Sequence, residues 1–336
     1  MIFAHQSLKG YNTFGFDVTA RYFAQPASIK EAMEAITEAH RLGAPLYVLG
    51  RGSNVLFTQD FDGLIIKPAL LGIEVVEQAA DHVVVAAGAG EVWDHLVAWC
   101  VDRNWGGLEN LSHIPGTVGA APAQNIGAYG AEAKDTIVKV EGLFIDTLKP
   151  FVFSAAECAF GYRNSIFKTE LKNRVLITKV FFKLSTAALP NTDYGRIEEE
   201  LQSQPDRSIR CIRQAIINIR NQKLPDPAKM GNAGSFFKNP TVTEVLALKI
   251  QATYPNMPLY PADLPGYGKL PAAFLIEKSG WKGVRKGNVG VHDTQPLVLV
   301  AFEGAKGSEI LDLSMQIQRS VKEKFDILLE PEVNIL

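Results

Sequence analysis

Two glycine-rich segments carry the residues whose types and spacing could hold a ligand. Residues 108–130 read LENLSHIPGTVGAAPAQNIGAYG, in which glycines permit positive φ or close backbone approach and prolines stiffen the turns. Glu109 is the only acid of this stretch and His113 is its only possible cation. Surface loops of this length are usually polar. The small apolar residues therefore predict either backbone packed against a large, mostly apolar ligand or a buried connection without one.

The second segment, residues 50–57, reads GRGSNVLF and follows a short apolar run. Backbone N–H groups in such a turn can form an anion-binding nest, although a plain connecting turn would have the same composition. Gly88 and Gly90 superficially suggest a dinucleotide-binding turn, but Trp93 stands where the GxGxxG pattern needs its third glycine. No regular alternation of strands and helices follows, so the sequence argues against a Rossmann domain.

Composition excludes several classes of protein. The 336 residues are 47% hydrophobic with a formal net charge of −2, which is typical of a globular chain with core for two or three domains. No long basic run favours nucleic acid or anionic membranes. Cys100, Cys158 and Cys211 form no CxxC pair, which argues against a disulfide framework or a metal site and fits a reducing cytoplasm. We expect no signal peptide and no membrane span.

Apolar periodicity and capping residues predict the elements that position these segments. Capping boxes at Ser28/Glu31 and Thr241/Glu244 indicate two helix starts. The predicted helices cover 28–41, 91–103, 206–221, 241–252, 271–279 and 308–325. The predicted strands cover 46–49, 63–67, 73–77, 82–87, 137–145, 151–153, 174–184, 296–302 and 330–336. The sequence KLPDP at 223–227 breaks the chain with two prolines and predicts a domain boundary.

Five motifs occur in order along the chain: GRGSN, IPGTVGAAPAQNIGAYG, GYRNSIF, GNAGSFFKNP and LEPEVNIL. Their joint order and spacing closely resemble the UDP-N-acetylenolpyruvoylglucosamine reductase family, from about Asn12 to the C-terminus. The resemblance implies an α+β fold, with an FAD-binding module of the vanillyl-alcohol-oxidase (PCMH) type in two subdomains and a C-terminal α+β substrate-binding domain. The implied subdomains are 1–67 and 68–222, the substrate domain is 223–327, and a terminal strand within 328–336 returns to 68–222.

The resemblance also implies a reaction in two halves. NADPH, as co-substrate, reduces a non-covalently bound FAD, and the reduced flavin passes a hydride to the enolpyruvyl methylene carbon of UDP-N-acetylglucosamine enolpyruvate. A proton goes to the adjacent carbon, and the product is the peptidoglycan precursor UDP-N-acetylmuramate. We expect a cytoplasmic monomer that acts on a small nucleotide sugar and uses no metal, nucleic acid or membrane.

The same resemblance assigns two segments to the cofactor. Residues 50–54 would bind the FAD diphosphate through backbone N–H groups and the Ser53 and Asn54 side chains, and residues 115–129 would line the flavin ring and ribityl chain. The implied FAD-binding residues are Gly50, Arg51, Gly52, Ser53, Asn54, Pro115, Gly116, Thr117, Gly119, Asn125, Ile126, Gly127, Ala128 and Tyr129.

Catalytic roles are implied for Arg163, Ser235 and Glu332. Arg163 would hold the enolpyruvyl carboxylate, because a guanidinium binds a carboxylate in bidentate geometry. Ser235 would donate the proton, and Glu332 would polarise the enolate with a perturbed pKa. Residue type alone would favour a surface ion pair, a turn serine and an exposed acid. The chain departs from the family after Glu332, with Asn334 where arginine is common.

The implied substrate-binding residues come from several motifs. Diphosphate and sugar contacts would come from Tyr194, Lys223, Asn239 and Lys269, and Glu277 would belong to the nicotinamide or substrate pocket. Residues 193–197, DYGRI, match the tyrosine loop of the family's type I branch, which closes over the substrate. Lysines are point charges suited to phosphate, although a solvated surface lysine is the competing interpretation.

Two other functions remain open from the sequence. A flavin oxidase of the same fold would tether FAD covalently, and His113 is the nearest candidate for such a link. A non-catalytic flavin- or nucleotide-sugar-binding protein would have no need of Arg163, Ser235 and Glu332 together. Flavin that is released on denaturation would separate the reductase from a tethered oxidase. No separate nicotinamide motif distinguishes NADPH from NADH.

Overall fold

A computed structural model of the chain describes residues 1–188, 191–202, 204–262 and 264–336. The chain divides into two compact units. Unit 1 consists of Met1–Ser7, Thr19–Arg51 and Phe61–Gln222. Unit 2 consists of Leu8–Val18, Gly52–Asp60 and Lys223–Leu336. The assignment of three domains from the sequence stays a prediction.

Both helices and strands occur throughout the described residues, as the α+β prediction requires. The helices are α1 (Ile29–Arg41), α2 (Trp93–Val101), α3 (Ile197–Leu201), α4 (Ile209–Lys223), α5 (Glu244–Thr253), α6 (Ala272–Lys278) and α7 (Gly307–Phe325). The strands are β1 (Ile2–Ser7), β2 (Thr19–Ala24), β3 (Leu46–Val48), β4 (Val55–Leu56), β5 (Phe61–Ile66), β6 (Ile73–Gln78), β7 (His82–Gly88), β8 (Gly127–Ala128), β9 (Ala131–Glu132), β10 (Ile137–Phe144), β11 (Pro150–Ser154), β12 (Val175–Ser185), β13 (Gly231–Ser235), β14 (Thr241–Thr243), β15 (Tyr260–Pro261), β16 (Tyr267–Lys269), β17 (Arg285–Lys286), β18 (Val289–Val291), β19 (Val298–Ala301) and β20 (Asn334–Ile335).

Within the described residues, unit 1 contains two larger sheets and the two-stranded sheet β8-β9, and the first larger sheet has the order β1-β2-β5-β3. Strands β2, β5 and β3 run parallel, and the helix α1 packs its apolar stripe on them through Ala32, Ala35 and Ile36. Ser28 accepts a hydrogen bond from the Glu31 backbone N–H, which confirms the predicted cap. The parallel strands end at one edge of this sheet, where the GRGSN turn begins at Gly50.

The second sheet of unit 1 is antiparallel, with the order β11-β10-β12-β7-β6. Its inward residues and helix α2 form a core in which Trp93 meets Phe182 edge to face, with ring centroids 5.8 Å apart. The Trp93 indole Nε1 donates to the Leu111 carbonyl at 2.8 Å, so the core also fixes the start of the glycine-rich segment.

Unit 2 is built around helix α7. Its residues Ile310, Leu313, Ile317 and Val321 recur on one face and pack into a core with the sheet β13-β19-β18-β17. A three-stranded sheet, β14-β16-β15, carries Lys269. The short strand β20 pairs in parallel with β4.

Two predictions from the sequence are wrong. The predicted helix at 241–252 begins later, at Glu244 with Thr243 as its cap, because Thr241–Thr243 pairs with Tyr267–Lys269 as strand β14. The terminal strand is only Asn334–Ile335, and it pairs with Val55–Leu56 and not with the segment 68–222. Strands β1 and β2 went unpredicted, and they pair with each other antiparallel.

Candidate flavin and substrate site

The first half of the glycine-rich segment lies against the start of helix α2. The Val118 N–H donates to the Glu91 carbonyl and the Gly119 N–H to the Ala89 carbonyl, both at 2.9 Å. A Cβ at Gly119 would lie 2.6 Å from that of Ala89, so this contact requires glycine. A Cβ at Gly50 would lie 3.2 Å from the Thr117 hydroxyl oxygen, which brings two predicted FAD-binding residues together.

The GRGSN turn spans the two units, and its second part is fixed within unit 2. Gly52 has φ +67°, and a Cβ there would lie 1.9 Å from the Tyr11 carbonyl oxygen. The Thr13 N–H donates to the Gly52 carbonyl at 3.1 Å. The Asn54 side-chain amide donates to the Glu332 carbonyl at 3.3 Å, so the turn lies beside the C-terminal segment.

Cations without acidic partners lie where the parallel strands of unit 1 end. Lys67 follows β5 directly and is half-buried, and Arg51 belongs to the GRGSN turn. Burial, and secondarily the Arg51 charge, lowers the pKa of Lys67. Neither cation forms an ion pair with another described residue. Close glycine packing and free positive charge fit a ligand with a flat ring system and a diphosphate.

The second half of the glycine-rich segment is held by Asn125 and Arg163. The buried Asn125 amide donates to the Gly161 carbonyl at 3.0 Å, and its Oδ1 accepts from the Lys134 N–H at 2.9 Å. Arg163 Nη2 donates to the Gly127 carbonyl at 2.6 Å. Arg163 has φ +52°, an uncommon backbone conformation for arginine. The structure therefore brings Arg163 against the predicted flavin segment.

Ser235 and Glu332 lie on neighbouring segments of unit 2. Ser235 ends strand β13 after Gly234, which has φ +70°, and its side chain is exposed. The Glu332 N–H donates to the Phe236 carbonyl at 2.8 Å, so the half-buried Glu332 lies one residue from Ser235 across the pairing. The buried rings of Phe236 and Phe237 anchor this strand end in the core. Ser235 is therefore exposed at a strand end whose backbone pairs with the segment of Glu332.

Comparisons with known proteins identify the family. Residues 226–336 match the model of the UDP-N-acetylenolpyruvoylglucosamine reductase C-terminal domain, and residues 20–146 match that of an FAD binding domain. The chain is 47% identical to the UDP-N-acetylenolpyruvoylglucosamine reductase of Bacteroides fragilis, over 98% of each chain. It is 46% identical to that of Pseudomonas putida, over 98% of this chain and 97% of the relative. The chain belongs to this reductase family.

A solved structure agrees at the level of the fold. The crystal structure of UDP-N-acetylenolpyruvylglucosamine reductase from Thermus caldophilus superposes with a TM-score of 0.68 at 24% identity, covering 100% of this chain and 98% of that chain. With the two family models, this match confirms the predicted α+β class, with an FAD-binding part followed by a C-terminal domain of the reductase family.

Two of the substrate-binding residues expected in this family lie close together in unit 2. Asn239 Oδ1 accepts a hydrogen bond from the Ala272 N–H at 2.9 Å. Lys269 lies on β16 opposite Thr241, and the Leu270 N–H donates to the Pro240 carbonyl at 3.0 Å, so Lys269 and Asn239 are near neighbours. Tyr260 lies directly opposite Lys269 on β15, a position that the sequence prediction did not include.

Lys223 and Glu277 have more exposed surroundings. Lys223 is the last residue of α4 and is exposed. Glu277 lies on α6, where Lys282 Nζ is 3.4 Å from its carboxylate. Both side chains of this ion pair are partly exposed, at 40% and 43%. Its assignment to the nicotinamide or substrate pocket stays a prediction.

Tyr194 contacts the end of the glycine-rich segment in unit 1. A Cβ at Gly130 would lie 3.2 Å from the Tyr194 Cβ, and the Tyr194 side chain is 48% exposed. Burial raises the pKa of Tyr129, while Arg220 opposes that rise and Tyr194 adds to it. Tyr129 also packs on the apolar cluster of α3 and α4. The tyrosine loop of the family therefore rests on the predicted flavin segment.

Helix α4 holds His113 through residues that the sequence prediction missed. The His113 N–H donates to Asp94 Oδ1 at 2.5 Å, and Arg213 binds the Asp94 carboxylate at 2.6 and 2.8 Å. Arg220 Nε donates to the His113 carbonyl at 3.1 Å, and Asn221 Oδ1 lies 3.0 Å from His113 Nε2. Sequence separations above 100 residues left no local signal for this network.

The described residues contain neither a cluster of metal ligands nor a membrane-spanning helix. Across the residues that the structure describes, no group of three or more histidine, cysteine, aspartate or glutamate side chains could hold a metal ion. None of the helices in that part of the chain is both long and apolar enough to span a bilayer. Cys100, Cys158 and Cys211 are buried free cysteines.

Proposed function

We propose that the chain catalyses the NADPH-dependent reduction of UDP-N-acetylglucosamine enolpyruvate to UDP-N-acetylmuramate, a step in peptidoglycan precursor synthesis. The observation that carries this proposal is 47% identity to a reductase of that name over 98% of both chains. When bound, FAD supplies the hydride relay between the nicotinamide and the enolpyruvyl methylene carbon. The glycine-packed wall and the cations Arg51 and Lys67 would bind its ring and its diphosphate.

Arg163 is proposed to hold the enolpyruvyl carboxylate. Its Nη2 is fixed by the Gly127 carbonyl at 2.6 Å, so the planar guanidinium is oriented before substrate arrives. Hydride addition shifts negative charge towards the carboxylate, and the interaction with Arg163 therefore strengthens in the transition state.

Ser235 is proposed to donate the proton to the carbon that carries the carboxylate. Its exposed position at the end of β13 supports this role, and the two buried phenylalanines that follow it fix the strand. Glu332, one residue away across the backbone pairing, would polarise the enolate and support proton transfer. The family motifs support binding of the nucleotide sugar by Tyr194, Lys223, Asn239 and Lys269.

We also propose a cytoplasmic monomer whose partners are small molecules. The buried free cysteines support a reducing compartment, and the modest net charge of −2 gives no reason to invoke nucleic acid. Size measurement by light scattering tests the monomer directly.

Anaerobic half-reactions test the proposed function. NADPH should bleach the flavin absorbance of the FAD-loaded protein, and UDP-N-acetylglucosamine enolpyruvate should restore it with formation of UDP-N-acetylmuramate. Acid precipitation should release the flavin into the supernatant, since the wall offers backbone and small residues for binding and no tether. Reduction without reoxidation by this substrate would contradict the assignment, and flavin retained in the precipitate would favour a tethered oxidase.

A further inference from the structure

Asn110 is a buried amide that joins the glycine-rich segment to a distant part of unit 1. Its Nδ2 donates to the Tyr129 carbonyl at 2.8 Å and to the Asn191 carbonyl at 2.9 Å. Asn110 is 3% exposed, and it precedes the motif that was assigned to the flavin. Asn191 lies shortly before Tyr194 in the sequence. One side chain therefore connects the end of the glycine-rich segment to the residues that lead into Tyr194.

Residues 191–196 are exposed for the most part, and they are held at both ends. The helix α3 follows them, and its buried Ile197 packs in the apolar cluster of α3 and α4. Within the stretch, the Asp193 N–H donates to Asn191 Oδ1 at 3.3 Å, which is a local contact. The packing of α3 thus holds the end of this stretch, and the hydrogen bond from Asn110 holds its start.

The Asn110 amide is better suited to holding this stretch than to stabilising the core. Its Oδ1 is buried and accepts no hydrogen bond from a described residue, which offsets part of what the two donated bonds contribute. Asn191 is exposed, so water can replace the bond to its carbonyl when the stretch moves away. An apolar side chain of similar size at position 110 would therefore release residues 191–196 at a small cost to the core.

The same contact places Tyr194 beside the glycine-rich segment. A Cβ at Gly130 would lie 3.2 Å from the Tyr194 Cβ and 3.4 Å from Asn191 Nδ2. A Cβ at Gly195 would lie 3.9 Å from Cδ1 of the Tyr129 ring. Because Asn110 binds one carbonyl on each side of this contact, it fixes how the two stretches of backbone lie against each other.

We propose that Asn110 is a positioning residue for substrate binding, whose amide holds Tyr194 in the place from which it contacts the nucleotide sugar. The proposal rests on the proposed function for the role of Tyr194, and it adds a residue that the motif assignments did not include. When a smaller fraction of the protein has its binding residues in place, the apparent dissociation constant rises in proportion. The rate within the bound complex stays the same, since Tyr194 is in place in every bound molecule.

The test compares Asn110→Leu with Ser112→Ala in the FAD-loaded protein. Leucine is close to asparagine in size and lacks its donors. Ser112 is the matched control, because it is also buried and its Oγ donates to the Glu109 carbonyl at 2.6 Å, within the same segment. The first measurement is the rate of trypsin cleavage after the exposed Arg196, without substrate. The second is flavin reoxidation against the concentration of UDP-N-acetylglucosamine enolpyruvate, which gives an apparent dissociation constant and a limiting rate.

Asn110→Leu should raise the rate of cleavage after Arg196 by about three- to tenfold, because proteolysis follows the open fraction and one hydrogen bond has this value. The apparent dissociation constant of the substrate should rise by a similar factor. The limiting rate of reoxidation and the rate of flavin reduction by NADPH should stay at the parent values. Ser112→Ala should leave both the cleavage rate and the dissociation constant unchanged.

The proposal is overturned if Asn110→Leu binds the substrate as the parent does, or if binding weakens without faster cleavage after Arg196. It is also overturned if Ser112→Ala shows the same changes, or if the limiting rate falls as far as the affinity. If Asn110→Leu does not retain FAD, Asn110→Ser replaces it under the same criteria, because a serine is too short to reach both carbonyls.

The parent protein is carried through both half-reactions in the same preparation. Failure of the parent to reoxidise with this substrate would refute the proposed function. The cleavage rate after Arg196 needs no substrate, so it separates that failure from a failure of Asn110 to hold residues 191–196.

Discussion

The glycine-rich segment of unit 1 and the Ser235 strand end of unit 2 are fixed in different ways. Residues 108–130 are held by side chains from distant parts of the chain, including Asp94, Arg163 and Arg220, which bind backbone groups of the segment. The Ser235 strand end and the segment of Glu332 are held together by backbone pairing at Phe236, where Ser235 is exposed and Glu332 is half-buried. The glycine-rich segment is therefore fixed by side chains of other segments, whereas the Ser235 strand end is fixed by backbone pairing.

This difference is what we expect if the first region binds the cofactor and the second binds the substrate, as proposed. A cofactor that stays bound through many turnovers benefits from a wall that is rigid before binding, which clamped backbone and tightly packed glycines provide. A substrate that arrives and leaves needs accessible acid and base groups on a stable support, which an exposed serine on an anchored strand provides. Substitutions in the two regions should therefore have separable effects.

Ser235→Ala should give the largest effect and should separate the half-reactions. Flavin reduction by NADPH delivers no proton to carbon, so that rate should remain near the parent value. Reoxidation by the enolpyruvyl substrate should fall by about 10²–10⁴-fold, the usual contribution of a general acid. Stopped-flow absorbance measures both rates.

Arg163→Gln and Glu332→Gln should show the same asymmetry, because both act on charge that appears as the enolate forms. Solvent deuterium should still enter the carbon that carries the carboxylate in the product of Ser235→Ala. Equal loss of both half-reactions in Ser235→Ala would show that the serine is structural. Reoxidation at the parent rate would show that the proton comes from elsewhere.

Gly52→Ala should destabilise unit 2 far more than Gly234→Ala. Both glycines have positive φ, at +67° and +70°, and so carry a similar backbone penalty of about 1–2 kcal/mol on substitution. A Cβ at Gly52 would lie 1.9 Å from the Tyr11 carbonyl oxygen, whereas one at Gly234 meets open space. We expect the Gly52 variant to lose about 2 kcal/mol more in urea unfolding, from overpacking. Equal losses would mean that the turn can move away from Tyr11.

Asp94→Asn should weaken the hydrogen bonds that hold His113, and the resulting loss of stability should depend on pH. Burial tends to raise the pKa of Asp94, but its bonds from Arg213 and the His113 N–H outweigh burial, and the pKa lies below its ordinary value. A lowered folded-state pKa stabilises the protein above the unfolded value near pH 4, and this stabilisation is lost as pH falls through the folded value. At pH 7 the variant should lose about 2 kcal/mol of unfolding free energy.

The difference between Asp94→Asn and the parent should shrink as the pH falls below about 4, where the carboxylate of the unfolded parent becomes protonated first, and it should vanish below the lower pKa of the folded state. Asp102→Asn is the control, since its carboxylate is exposed and lies 3.6 Å from Arg210. A loss of unfolding free energy that stays constant from pH 7 to pH 3 would show that the charge of Asp94 does not contribute to stability.

Local signals explain what the sequence predicted correctly. Helix α1 begins after Ser28 and ends at Arg41, because the cap and the apolar stripe are both contained within it. The residues Thr241–Thr243 were predicted to start a helix because they resemble a capping box. They form a strand because they pair with Tyr267–Lys269, and the local sequence gives no sign of that pairing. Arg163 could be placed only through the family motif. The contacts that hold His113 could not be predicted from the local sequence, because Asp94 and Arg213 are 119 residues apart.

Tyr194→Phe should give the smallest effect, confined to substrate binding. The Tyr194 side chain lies close to Gly130 at the end of the glycine-rich segment, and phenylalanine keeps the ring while removing the hydroxyl. If the hydroxyl binds the substrate diphosphate, its loss should weaken substrate binding by about three- to tenfold, the value of one hydrogen bond. Flavin reduction by NADPH and FAD affinity should not change. Titration of the flavin spectrum with substrate measures substrate binding, and stopped-flow absorbance measures the rate of flavin reduction by NADPH. Equal slowing of both half-reactions would mean that Tyr194 supports the glycine-rich segment and does not bind the substrate. The tyrosine loop would then belong, with Asp94 and Arg163, to the parts of unit 1 that hold this segment in place.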